Sequence, residues 1–347
     1  DEHCYVYATI PAKGNHPTRL GLIAHMDTSD AVKGATHPRK VMNYDGGAIT
    51  LENGVVIDGF DFLPSLTGHD HIVTAGDSVL GADDKAGVAE IMTLAAHFCA
   101  PDAPEHCTVC IAFTPDEEIG CGADLFDVPA FGADYGYTVD GGALGELEYE
   151  NFNAASAKVE VRGVNIHPGS AKNQMKNAAL IAMEWNGMLP PCETPAHTEG
   201  YEGFYHLCAM EGDEELATLT YILRDHDAAK FDGRKATVQR ITDYLNAKWG
   251  EGTVELLVKD SYRNMKEMIE PHMDIIDRAK AAFTACGVAP IVQPIRGGTD
   301  GARLSFMGLP CPNLSTGGYN FHGRKELITV QAMEKMVDVL LHLAENA

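Results

Sequence analysis

Cys107-Thr108-Val109-Cys110-Ile111-Ala112-Phe113-Thr114-Pro115-Asp116-Glu117-Glu118 is the stretch whose reading decides the fold. An apolar, β-branched run stops at a proline and then at a cluster of acids, the pattern of a buried strand that delivers charge at its carboxyl end. The same texture recurs. Gly21-Leu22-Ile23-Ala24 leads into His25-Met26-Asp27, and Tyr135-Gly136-Tyr137-Thr138-Val139 leads into Asp140-Gly141-Gly142. Helical patterns alternate with these runs, so the class is α/β with a mixed, mostly parallel sheet. In open sheets of that kind ligands bind beyond the carboxyl ends of the strands, and here that edge collects a histidine and several acids.

Between the first two runs, Asp83-Asp84 precedes Val88, Ile91, Met92, Ala95 and Phe98, apolar residues at helical spacing. One aspartate at such a helix start serves as an N-cap, its carboxylate accepting backbone N–H groups and suiting the helix dipole. Two in succession leave one for other work.

At 347 residues the chain is long enough for two domains. From about Ala155 the texture changes: strands at Ala157 to Val161, Ala217 to Leu223 and Thr253 to Val258 enclose helices at Asn177 to Met188 and Phe231 to Trp249. That order predicts an α+β sandwich, residues 152–263, inserted into a larger domain made of 1–151 and 264–347. Met273 to Cys286 and Val330 to Ala344 read as helices of the larger domain. Two chain crossings, near Asn151 and near Asn264, are compatible with a hinge.

Fifty acidic against 26 basic side chains give a formal net charge of −24, a field that repels nucleic acid and anionic membrane surfaces. No run approaches the roughly 20 apolar residues of a membrane span, and the start lacks a secretory pattern, so a soluble intracellular protein is expected. The opening Tyr5-Val6-Tyr7-Ala8-Thr9-Ile10 already alternates like a strand, which leads us to expect a further segment upstream of Asp1. Nine cysteines without a regular framework suit a reducing compartment. Cys107 and Cys110, three apart in a strand, face opposite sides and do not make a zinc knuckle.

Hydrolytic metal sites need a few N and O ligands with an open position, and a pair of metals needs a carboxylate to bridge them. His25 and Asp27 lie on one face of a strand end, where Asp27 can hydrogen-bond the ring nitrogen turned away from a metal. Glu117 and Glu118, adjacent in a turn, can address an ion and its water respectively. Asp140 is followed by two glycines that let backbone approach a ligand. His322 sits in the Gly-bearing turn Gly317-Gly318-Tyr319-Asn320-Phe321-His322-Gly323.

Ile23-Ala24-His25-Met26-Asp27-Thr28, Leu80-Gly81-Ala82-Asp83-Asp84-Lys85-Ala86-Gly87, Phe113 to Glu118, Val139-Asp140-Gly141-Gly142 and Phe321-His322-Gly323 together resemble the peptidase T family. These are tripeptide aminopeptidases within the di-zinc exopeptidases, which also include carboxypeptidase G and aminoacylases. The resemblance runs nearly the whole chain, taking in Asn165-Ile166-His167-Pro168-Gly169, Glu199 to Leu207, and Pro294-Ile295-Arg296-Gly297-Gly298-Thr299-Asp300-Gly301. It implies a zinc-exopeptidase-like catalytic domain with an inserted lid and dimerisation domain, two Zn2+ per subunit, a homodimer and a cytoplasmic setting. His25 and Asp140 are implied to bind one zinc, Glu118 and His322 the other, with Asp83 bridging, Asp27 orienting and Glu117 as the catalytic acid-base.

On the substrate side the resemblance implies that His167 stabilises a developing oxyanion, whereas its local reading is a histidine capping the turn before Pro168. Arg296 is the expected clamp for a substrate carboxylate, since a guanidinium fork matches it bidentately. Arg224 is a second candidate, with Asp225 and Asp227 as competing partners. The rival functions are a carboxypeptidase or N-acyl amino acid deacylase, and a non-catalytic peptide-binding protein; binding alone does not need Glu117. Gly323-Arg324-Lys325-Glu326 is more basic than the resemblance leads one to expect and carries no assigned role.

Overall fold

The computed structural model describes residues 1–347. The chain divides into two compact units, one of 1–149, 265–293 and 299–347, the other of 150–264 and 294–298. The short segment 294–298, expected in the larger unit, goes with the smaller one. Its backbone bridges Asn151 at Ile295, and His226 Nε2 lies 3.1 Å from the Ile295 carbonyl.

In the larger unit a seven-stranded sheet runs in the order Val6–Ile10, Thr108–Thr114, Arg19–His25, Tyr135–Gly141, Asn313–Ser315, Glu146–Glu148, Ile291–Val292. Thr108–Thr114, Arg19–His25, Tyr135–Gly141 and Asn313–Ser315 are mutually parallel, while Val6–Ile10 pairs antiparallel at the edge. The parallel strands are buried on both faces, which is why they read as continuous apolar runs instead of alternating ones. Register sets the site: His25 pairs with Thr114 and Ile23 with Thr138, so His25, the turn after Thr114, and Asp140 reach the carboxyl edge at one level.

Helix Ala82–Phe98 packs on Arg19–His25 and on helix Val330–Glu345, which in turn packs on Met273–Ala285. Ile91, Leu94 and Phe98 are buried, whereas Met92, read as part of the apolar stripe, is exposed. A smaller antiparallel sheet, Gly318–Tyr319, Leu327–Thr329, His71–Thr74 and Pro38–Val41, covers a core of Tyr44, Ile49, Leu51, Ile57, Leu63 and Leu66. No helix is long and apolar enough to cross a membrane.

The second unit is an antiparallel sheet in the order Phe204–Gly212, Leu216–Asp225, Asn153–Arg162, Val254–Tyr262, backed by helices Ala178–Gly187 and Ala228–Trp249. Ala155, Ala157, Val159 and Val161 face a core with Trp185, Leu219, Tyr221 and Val238, while Ser156 and Lys158 point out. Strand Phe204–Gly212 was not among the expected elements.

Candidate active site

His25 ends its strand almost fully buried, with each ring nitrogen engaged. Nδ1 lies 3.0 Å from the Asp27 carbonyl oxygen and 3.3 Å from Asp27 Oδ1, and Nε2 lies 2.8 Å from Asp83 Oδ1 and 3.4 Å from Asp140 Oδ1. On the other side His322 Nε2 is 2.9 Å from Asp83 Oδ2 and 3.1 Å from Glu118 Oε2. Asp83 thus turns one oxygen to each histidine. His25, Asp83 and Asp140 form one compact group of potential ligand atoms, and Asp83, Glu118 and His322 a second, each within 4.8 Å internally.

The paired aspartates divide the labour. Asp84 is fully buried; its Oδ2 accepts the His25 N–H at 3.1 Å and its Oδ1 accepts the Gly87 N–H at 3.1 Å, which is the N-cap role. Asp83, whose backbone is not helical although it lies at the helix start, is left to face the histidines. Asp27 also serves twice: besides approaching His25, its Oδ1 and Oδ2 accept the Glu117 and Glu118 N–H groups at 3.1 and 3.0 Å. It therefore fixes the histidine ring and the acidic turn together. Asp116 and His322 adopt left-handed backbone (φ 61° and 59°), an unfavourable choice for residues with a Cβ that is met where loops are constrained by function.

The electrostatics are those of an anionic cluster. Burial pushes Asp140 up to about 7 despite the opposing pull of His25, with Asp83 and Asp300 adding to the rise. Burial, then the charges of Asp140 and Asp300, push Glu117 up to about 9. Hydrogen bonds to Asp83 and Glu118 raise His322 to about 10. Burial works to raise Asp83, but the hydrogen bonds from His25 and His322 outweigh it and hold Asp83 well below the ordinary range.

The donor set suits divalent cations. It offers imidazole and carboxylate ligands, a carboxylate placed to bridge, and a buried Glu118 Oε1 that has no hydrogen-bond partner. Buried carboxylates in such number need positive charge, and the histidines alone do not balance them.

The three substrate-side candidates lie in the second unit. His167 Nδ1 accepts the Gly169 N–H at 3.2 Å, so the turn-capping reading holds and Nε2 is left without a partner. Arg224 stacks over the Tyr262 ring, 4.9 Å from its centroid, and pairs with neither Asp225 nor Asp227; Asp225 is taken by Arg234 at 2.8 Å. Arg296, expected to be open for a carboxylate, instead donates to the carbonyls of Gly200 (2.6 Å) and Glu202 (3.0 Å) and to Thr198 Oγ1 (3.1 Å). In this structure it ties down the 198–202 loop.

Asp300 and Glu326, buried acids that hydrogen-bond to the turns bearing the candidate ligands, escaped the sequence reading. Asp300 accepts the Thr114 hydroxyl at 2.9 Å and so braces the start of the turn that bears Glu117 and Glu118, while its carboxylate lies so close to Gly122 that a Cβ there would collide with it. Burial raises it to about 6. Glu326 turns its carboxylate to the backbone of Leu80, Gly81 and Asp83. Asp300 had a signal in Gly297-Gly298-Thr299-Asp300, an acid opening a short helix; Glu326 was masked by its basic neighbours.

Residues 149–253 match the family model for the peptidase dimerisation domain. Peptidase T of Halothermothrix orenii is 56% identical over 99% of this chain and 86% of its own length, and that of Clostridium novyi 55% over the same shares. Among solved structures, aminopeptidase PepT from Bacillus cereus superposes with a TM-score of 0.77 at 23% identity, covering 98% of this chain and 84% of its own. A tripeptidase from Staphylococcus aureus gives 0.79 at 21%, covering 98% and 83%. A dinuclear metal-binding peptidase of the M20 family from Bacillus subtilis gives 0.60 at 14%, covering 98% and 84%. These structures share the fold, and the sequence relatives, more than half identical over almost the full chain, settle the kinship: the chain belongs to the peptidase T family.

Proposed function

We propose that the chain is a metal-dependent aminopeptidase that removes the N-terminal residue from tripeptides, with Glu117 as general base and two zinc ions held by His25, Asp83, Glu118, Asp140 and His322. The observation that carries the reading is Asp83, with one oxygen toward each histidine and a third group from each side, Asp140 and Glu118, completing two sites that share it. When bound, the ions would supply Lewis-acid chemistry, lowering the pKa of the attacking water and polarising the scissile carbonyl.

The residues of the chain do the rest. Asp27 holds the His25 ring at Nδ1 with its main-chain carbonyl and its carboxylate together and, through the Glu117 N–H, sets the position of the base. Glu117 takes the proton of the attacking water and returns it to the leaving amine, a transfer that needs it ionised at the start of each cycle. His167 offers its free Nε2 to the developing oxyanion. Arg224 and Arg296 take the substrate carboxylate, Arg296 by exchanging the carbonyls of the 198–202 loop for carboxylate oxygens. The 152–263 unit acts as lid and homodimer contact, supported by the dimerisation-domain match, and the nine free cysteines suit the cytoplasm.

A substrate panel tests the activity. Zinc-loaded protein is expected to release the first residue of a free tripeptide, to leave the N-acetylated tripeptide intact, and to act poorly on N-acyl amino acids. Preferential hydrolysis of the N-acyl compounds would reassign it to a deacylase, and zinc binding without any hydrolysis to a peptide-binding protein. Light scattering should give the mass of a dimer; a monomer would remove the dimerisation role.

A further inference from the structure

We propose that Glu326 is a positioning residue of this centre: its carboxylate fixes the Leu80–Asp83 turn and, through it, the orientation in which Asp83 presents one oxygen to each histidine. The inference rests on reading the cluster as a metal centre. Glu326 is 1% exposed, and Oε2 accepts the N–H groups of Leu80 at 2.7 Å and Gly81 at 2.9 Å, while Oε1 faces the Asp83 N–H at 3.3 Å.

The turn needs such an acceptor. Gly81 is left-handed (φ 69°) where a Cβ would collide with Lys85 Nζ, and Asp83 and Asp84 depart from helical geometry before the helix settles at Lys85. The first N–H groups of a helix have no partner within it, and an anion placed across several of them is held as in a backbone nest. Asp84 caps Gly87 from inside the helix, and Glu326 serves the residues ahead of it.

The origin of Glu326 gives the contact its meaning. It lies four residues beyond His322, in a loop closed by the Glu326 N–H to the Gly323 carbonyl at 3.2 Å and by Asn320 Nδ2 to the Lys325 carbonyl at 3.2 Å. Strand Leu327–Thr329 then anchors that loop between Gly318–Tyr319 and His71–Thr74. One short segment thus carries a candidate ligand and the clamp on the carboxylate that must face it. Loosening the clamp leaves every ligand in the sequence but frees the bridging one to turn.

Wild type and Glu326→Gln are stripped with chelator, checked for fold by circular dichroism, titrated calorimetrically with Zn2+, and loaded separately with Co2+ for visible absorption. The amide keeps the volume but turns an N–H2 or a weaker acceptor toward the turn. At least a tenfold weaker Zn2+ affinity and an altered Co2+ band are expected, within the roughly 10- to 100-fold typical of groups that support metal ligands. A role confined to stability would lower the melting temperature and leave affinity and band unchanged, which overturns the proposal. If the variant does not fold, amide exchange in the metal-free wild type decides: slow exchange at Leu80, Gly81 and Asp83 supports the clamp, and exchange at loop rates overturns it. Wild type that binds neither ion would sink the metal-centre reading and Glu326 with it; equal binding by wild type and variant sinks Glu326 alone.

Discussion

At the scale of single residues, the same carboxylate often has two duties, and substitutions should separate them. Asp27→Asn keeps the shape of the side chain but turns a donor toward the Glu117 and Glu118 N–H groups or weakens the pull on His25 Nδ1. Zinc affinity should fall by roughly 10- to 100-fold, read by calorimetry; an unchanged affinity would mean that Asp27 only braces the backbone. Arg296→Lys keeps the charge and loses the fork. It should raise KM for a free tripeptide several-fold with little change in kcat, and leave KM for the tripeptide amide unaltered. An equal rise for the amide would show that Arg296 acts only by holding the 198–202 loop.

At the scale of elements, the turn after Thr114 is clasped by Asp300 at its base and by Arg303, which donates to the Gly120 carbonyl and pairs with Asp124, at its tip. Thr114→Val removes the hydroxyl and leaves a buried carboxylate oxygen short of a donor, which should destabilise the metal-free protein by about 1–3 kcal/mol in urea unfolding. A neutral result would show that Asp300 needs no such partner. Elements also show what the sequence could convey. The parallel strands were legible because burial on both faces writes an unbroken apolar run, and their polar termini marked the site. Strand Phe204–Gly212 was not legible: it is a sheet edge, mostly exposed, with a register shift between Leu207 and Ala209 that breaks any alternation. Asp83, Glu118, Asp140 and His322 meet in the structure, but their individual roles came from the family resemblance. Asp300 carried a helix-opening signal and Glu326 none, but neither could be placed at the site, because a buried acid that accepts distant hydrogen bonds looks, in sequence, like any surface acid.

At the scale of the whole molecule, a chain of net charge −24 gathers more carboxylates at the carboxyl edge of its sheet than its histidines can balance. Metal-free protein is expected to answer with protons. Burial raises Glu148 to about 8, as it does Asp140 to about 7 and Glu117 to about 9, while His322 rises to about 10 through its carboxylate partners. Each of these groups binds its proton more tightly folded than unfolded, so its contribution is fully present below the unfolded pKa and is lost as pH rises through the folded one. Asp27 and Asp83, held low, act in the opposite sense only at more acidic pH. The melting temperature of chelator-treated protein should therefore fall between pH 6 and pH 9, and added Zn2+ should restore it at pH 9; a rise over that interval without metal would contradict the charge arrangement. We propose that Glu117 moves the proton while other residues hold the metal. The most direct measurement is turnover of a free tripeptide by Glu117→Gln beside calorimetric Zn2+ binding by the same preparation. Turnover should drop by about 10²- to 10⁴-fold, the usual range for a general base, with zinc affinity and stoichiometry as in wild type. Turnover near the wild-type rate, or loss of zinc together with activity, would contradict it.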